Sequence, residues 1–161
     1  MTQKANLLLR VLHHAERDLA ADLLAIGERH RTEHEVYHVT RDLAAWSHEH
    51  IRLIVDQAGR RGLSLEEDSR DTSPLSTVRE KVAELVGRRP EPGLLLLRDL
   101  RRIHLDCVGL SVDWELLAQT AQALKDEHLL ALAQRCHPDT LRQARWANSM
   151  IKVMSPQIMA S

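Results

Sequence analysis

A chain of 161 residues with a formal net charge of −1 has room for one domain with a genuine core and carries no bulk basic field that would draw it onto nucleic acid. Its 43% hydrophobic content excludes general disorder, and with no Phe, one Tyr and three Trp the core must be built from Leu, Ala, Val and Ile, which points to an all-α protein. No run approaches the ~18–20 apolar residues of a membrane span. The apolar run in "MTQKANLLLRVLHHAERD" is too short for a signal segment, so a soluble, cytoplasmic protein with no membrane partner is expected.

The first predicted helix covers 4–30, where Leu8, Leu12, Ala15, Leu19, Leu23 and Ile26 recur at helical spacing. A short connection, "ERHRT", leads to a second helix over 33–59, opened by a Thr32/Glu35 capping box. Its stripe runs Val36, Val39, Leu43, Trp46, His50 and Leu53/Ile54, and the short connection makes helices one and two an antiparallel hairpin. The next stretch, about thirty residues long, is rich in turn formers and carries a short helix of its own over 76–87, with Thr77 and Glu80 as a capping box and Gly87 as its stop. A connection of that length lets helix three begin at the same end of a bundle as helix two.

Helix three, over 93–124, has the most regular seam: Leu96, Leu100, Ile103, Cys107, Leu110, Trp114, Leu117, Ala121 and Leu124. Helix four, over 126–154, has Asp126 as its cap, carries Leu129, Leu130, Ala133, Cys136 and His137, and is expected to kink or restart at Pro138 before Leu141, Ala144, Ala147 and Ile151. The expected architecture is therefore a single domain spanning 1–161: an up-down antiparallel four-helix bundle with a long, helix-containing crossover between helices 2 and 3 and a proline kink in helix 4. Cys107 and Cys136 are far apart in sequence and fall within apolar stretches, as reduced buried thiols do.

His34-Glu35-Val36-Tyr37-His38 is a literal HExxH match, the signature of zinc peptidases. Its two histidines fall on the side of helix two away from the apolar stripe, together with Arg41, Ala45, His48, Arg52 and Asp56. Glu35 is already assigned to a helix start, and no third ligand can be placed beside the pair. The match is read as a helix start, and a zinc peptidase is not expected. No nucleophile with an adjacent base is visible, which leans the reading away from an enzyme.

The polar residues that point inward carry more weight. His50 sits within the stripe of helix two, Asp22 near the stripe of helix one and Glu16 on its flank. Helix three offers His104 and, further out, Asp106; helix four offers His137. One or two such groups per helix is how a bundle assembles a metal site. The bland alternative for each is a buried polar group satisfied across the bundle. The only Glu-x-x-His in the chain is the one inside HEVYH, so a full di-iron set is missing while a mononuclear His/carboxylate site stays open.

With "HHAERDLAADLLAIGERH" in helix one, "RRIHLDCVGLSVDWELL" in helix three, paired hairpins and a helical crossover, the chain resembles the ferritin-like four-helix bundles over roughly residues 4–155. It particularly resembles the YciE/YciF-type stress-associated bacterial family. The resemblance implies that Glu16 matches the Glu of an "AE" element in helix one. It also implies that Ile103-His104-Leu105-Asp106 stands where the family has an E-H-Y-E-like element, with one carboxylate replaced by Ile and the other by a shorter Asp. A degenerate metal site in a retained fold follows. Three functions are open on these grounds. The first is a non-catalytic bundle acting as a homo-oligomer, most simply a dimer, or through a protein partner, with no cofactor; Leu9, Leu24, Trp146 and Met150 are candidates for its second apolar face. The second is an iron, manganese or zinc oxidoreductase or metal store linked to stress response, using Glu16, Asp22, His50, His104, Asp106 and His137. The third is a small-molecule or nucleic-acid binder using the "GRR" triplets at 59–61 and 87–89 with Arg98, Arg101 and Arg102, a cluster without the aromatic platform such binding uses.

Overall fold

A computed structural model of the chain describes residues 2–67 and 91–161. Four helices make up nearly all of them: α1 Thr2–Arg29, α2 His34–Arg60, α3 Pro92–Leu124 and α4 Glu127–Met159. No strand occurs among the described residues, and no helix among them is long and apolar enough to cross a membrane. The expected crossover helix at 76–87, with its Thr77/Glu80 capping box and Gly87 stop, lies outside the described residues.

The helix boundaries have local causes. α3 begins on Pro92, whose missing N–H costs nothing in a first turn. Asp126 caps α4 by accepting the Leu129 amide at 3.1 Å, as its sequence position predicts. The Thr32/Glu35 capping box does not form: Glu33 is the N-cap of α2 and makes no side-chain cap bond. Instead, the Glu33 amide bonds the His30 carbonyl at 2.9 Å, a tight turn that carries α1 into α2. α4 runs through Pro138 as one helix, so of the kink or restart expected there the restart does not occur. The carbonyl that proline leaves without a donor belongs to Gln134; both residues are exposed, so water can take up the lost bond.

The long-range contacts set the topology. Arg61, just past α2, donates to Asp126 Oδ2 at 2.6 Å and to Asn6 Oδ1 at 3.1 Å, gathering the end of α2 with the starts of α1 and α4. At the opposite end, Asp99 near the start of α3 accepts from His30 and Arg29 at the end of α1, at 2.7 and 3.1 Å. Thus α1 and α4 run one way, and α2 and α3 the other. The hairpins α1/α2 and α3/α4 pack side by side, with α1 against α3 and α2 against α4. Beyond Gly62, at φ +73, Leu63 is buried and His13 Nε2 lies 2.6 Å from the Glu66 carbonyl, so the chain leaves α2 by turning back along α1.

The core is aliphatic, with Trp114 its largest fully buried side chain. Eight of the nine seam positions predicted for α3 are buried; only Leu124, in the last turn, is exposed. The α1/α2 contact is close because Gly27 faces Thr40: a β-carbon there would collide with Thr40 Oγ1, which bonds the Val36 carbonyl at 2.7 Å.

Candidate functional site

At mid-height of the bundle, each helix contributes a polar side chain to one buried cluster. The stripe of α1 places Glu16 between Leu12 and Leu19, and that of α2 places His50 beside Ile51 and Ile54; both polar residues are fully buried. His50 Nδ1 donates to Glu16 Oε1 at 2.8 Å, and Nε2 donates to Asp139 Oδ2 of α4 at 3.1 Å. Trp114 Nε1 of α3 donates to the same Glu16 Oε1 at 3.1 Å, and its indole meets the imidazole edge-on, with centroids 6.1 Å apart. The outer carboxylate is clamped by Arg135 at 3.0 Å and Arg142 at 2.9 Å, both reaching in from the exposed side of α4.

With a carboxylate oxygen at each ring nitrogen, His50 has two acceptors to satisfy and is suited to the doubly protonated imidazolium. Burial alone would push its pKa down, but the hydrogen bonds and charges of Glu16 and then Asp139 outweigh it, and the pKa rises from its ordinary 6.5. Burial would likewise raise the Asp139 carboxyl; the His50 bond and charge, followed by Arg135, hold it below its ordinary value instead. Glu16 Oε2 is buried with no hydrogen-bond partner among the described residues, since both donors converge on Oε1.

This is the geometry of an internal ionic lock. Two surface depressions lie nearby, one lined by Ala45, His48, Glu49 and Arg52 and one between α2 and α4 lined by Leu53, Gln57, His128 and Arg135. Neither is lined by Glu16, His50 or Asp139. The buried thiols are poor nucleophiles. Burial, reinforced by the Glu16 charge, pushes Cys107 up to about 12 and Cys136 higher still.

Of the residues singled out in the sequence, the structure brings Glu16 and His50 into direct contact and distributes the others. Asp22 and Asp106 flank Arg102, at 3.1 and 3.9 Å, on the α1/α3 seam, where burial raises both carboxyls. His104 Nδ1 donates to the Ala144 carbonyl at 3.0 Å, and His137 Nε2 lies 2.8 Å from Ser111 Oγ; each fastens α3 to α4. In HEVYH, both imidazoles are exposed and stack on each other, with centroids 6.5 Å apart. Among the described residues no three His, Cys, Asp or Glu side chains gather as ligands would. Both ring nitrogens of His50 are already held by carboxylates, so the arrangement as it stands does not fit the two-metal centre implied by the ferritin-like resemblance. Sequence reasoning missed Asp139 and Trp114. Trp114 was legible only as a core residue, and Asp139 comes into phase only if the helical period is carried through Pro138.

A second feature is on the surface. Leu105, Val108, Val112 and Leu116 line the side of α3 opposite its core seam, each between 43% and 55% exposed. Of the residues expected to form a second apolar face, Leu9 and Met150 instead belong to the core, Trp146 packs partly against it, and Leu24 alone is exposed. Compared with protein-family models, curated proteins and solved structures, the chain matches none.

Proposed function

We propose that the chain is a ferritin-like bundle without catalytic activity, in which the central lock holds the four helices in register and the outer face of α3 docks a protein surface. The ferritin-like reading includes the long crossover between helices two and three, over about 62–92, and a bend at Pro138. One observation carries the functional part. Four large aliphatic side chains recur at i, i+3, i+7 and i+11 on the solvent side of one helix, where a surface helix ordinarily carries charge. The buried cluster supplies no substrate path and no activated nucleophile, so the work falls to the surface.

The test is Val112→Glu, measured on protein dilute enough to be monomeric. An outward docking face tolerates the substitution, and the thermal midpoint stays within about 1–2 °C of wild type, as surface changes of under ~0.5 kcal/mol do. A large fall would mean that the face is covered by the chain's own fold, and it would end this reading.

A second reading is favoured by one specific atom, the unpartnered Glu16 Oε2. In it the bundle is a metal-binding oxidoreductase or metal store linked to stress response, with Glu16, and His50 once its bond to that carboxylate opens, as donors for one iron, manganese or zinc ion. Elemental analysis after anaerobic loading decides it: stoichiometric metal lost in His50→Ala supports this reading, and metal-free protein dismisses it.

A further inference from the structure

The outer face of α3 is complementary to itself. Arg98 and Arg101 are exposed on the N-terminal side of the stripe, while Glu115 is exposed and Asp113 half-buried on its C-terminal side. The helix dipole does not account for this order, because the first turn of α3 carries no acid and the last turn no base. Two copies of the face laid antiparallel bring Leu105 opposite Val112 and Arg101 opposite Glu115, at both ends of the contact. Laid parallel, they would stack Arg101 on Arg101 and Glu115 on Glu115. Opposite charges on paired helices select partner and direction.

Gly109 lies beside the midpoint of the stripe. Glycine weakens a helix interior relative to alanine, and nothing in the single chain compensates: a β-carbon at 109 would meet no atom within 4 Å. Close approach of a second helix at that point gives the residue a use. The face also extends onto α4. The His104–Ala144 and Ser111–His137 bonds set the α3/α4 register so that Leu141, exposed on α4, lies level with Val108. Two adjacent helices give the breadth needed for a stable interface of about 800 Å² per partner.

We propose that the partner is a second copy of this chain, with α3 packed antiparallel on α3 about a two-fold axis near Val108 and Gly109. This proposal rests on the reading of α3 as a docking face and names its occupant. A two-fold contact uses the same patch on both copies, so each substitution acts twice.

The experiment is sedimentation velocity over a concentration series on the full chain, with Val112→Glu, Arg101→Glu, Glu115→Arg and the double reversal Arg101→Glu/Glu115→Arg. A reversible dimer is expected for the wild type. Its Kd should rise at least about a hundredfold in Val112→Glu and about tenfold in each charge variant, and return towards wild type in the double reversal. A wild type that stays monomeric throughout overturns the proposal, as does a dimer indifferent to Val112→Glu. A dimer lost in Val112→Glu but not rescued by the double reversal overturns the antiparallel register. The underlying reading fails separately, through a lowered thermal midpoint of dilute Val112→Glu. An unchanged midpoint with a monomeric wild type removes the self-pairing alone.

Discussion

Replacing His50 with alanine tests whether the buried cluster holds the bundle together. The substitution removes the donor that links Glu16 and Asp139 and leaves Glu16, fully buried, with the Trp114 indole N–H as its one remaining partner among the described residues. Breaking a buried ion pair from one side costs about 3–5 kcal/mol, because the remaining charge is stranded in a low dielectric. For a domain of this size each kcal/mol moves the thermal midpoint by about 2–4 °C, so a fall of about 6–20 °C is expected. Urea unfolding followed by far-UV circular dichroism gives the free energy directly, and a thermodynamic cycle with Glu16→Ala isolates the pair. The double variant should cost clearly less than the sum of the singles, by about 1–3 kcal/mol, since neither charge is then left unpaired. Single costs that add to within about 0.5 kcal/mol would refute the reasoning and reduce His50 to a space-filling core residue.

The same cluster sets a pH window. His50 has a raised folded-state pKa, so its contribution is complete below 6.5 and is lost as pH rises through the higher folded value. Asp139 has a lowered one, so its contribution is present above 3.8 and is lost as pH falls through the lower folded value. Stability measured by urea titration should therefore peak between the two and decline on the alkaline side, with that decline absent in His50→Ala. Gly27→Ala should destabilise by about 1–3 kcal/mol in the same assay, because its β-carbon would collide with Thr40 Oγ1. Gly109→Ala should do the reverse in dilute protein, raising stability by about 0.5–1 kcal/mol, since the site is open and helical. Cys107 and Cys136, buried and with raised pKa values, should resist a thiol reagent until denaturant is added.

The fold was legible because periodicity reports the side of a helix that is buried, and in a bundle almost every inward position obeys it. The seam from Leu96 to Ala121 reads directly as core, and Asp126 reads directly as a cap. Starting points were less legible: Thr-x-x-Glu at Thr32 satisfies the capping-box pattern, yet α2 starts one residue later with Glu33 as its N-cap, after a turn in which the Glu33 amide bonds the His30 carbonyl. Pro138 does not end its helix. Its effect depends on whether solvent can satisfy the carbonyl it frees, and at Pro138 it can, so the helical phase survives and delivers Asp139 to His50. A restart at that point would have broken the phase that sets Asp139 beside His50.

What periodicity cannot convey is which polar groups meet across helices. Glu16 and His50 are separated by 34 residues, and Glu16 and Trp114 by 98. Their convergence depends on the level at which two helices cross, a quantity set by connections and packing rather than by any one stripe. Asp22, Asp106, His104 and His137 have the same chemical types at similar spacings, yet they end in local fastenings to Arg102, a backbone carbonyl and Ser111. The outer face of α3 was hidden by the opposite effect. A helix apolar on two sides shows little contrast between them, so Leu105, Val108, Val112 and Leu116 do not stand out beside the core seam. Taken on both sides at once, α3 carries two apolar faces, one buried inside the bundle and one exposed beyond it.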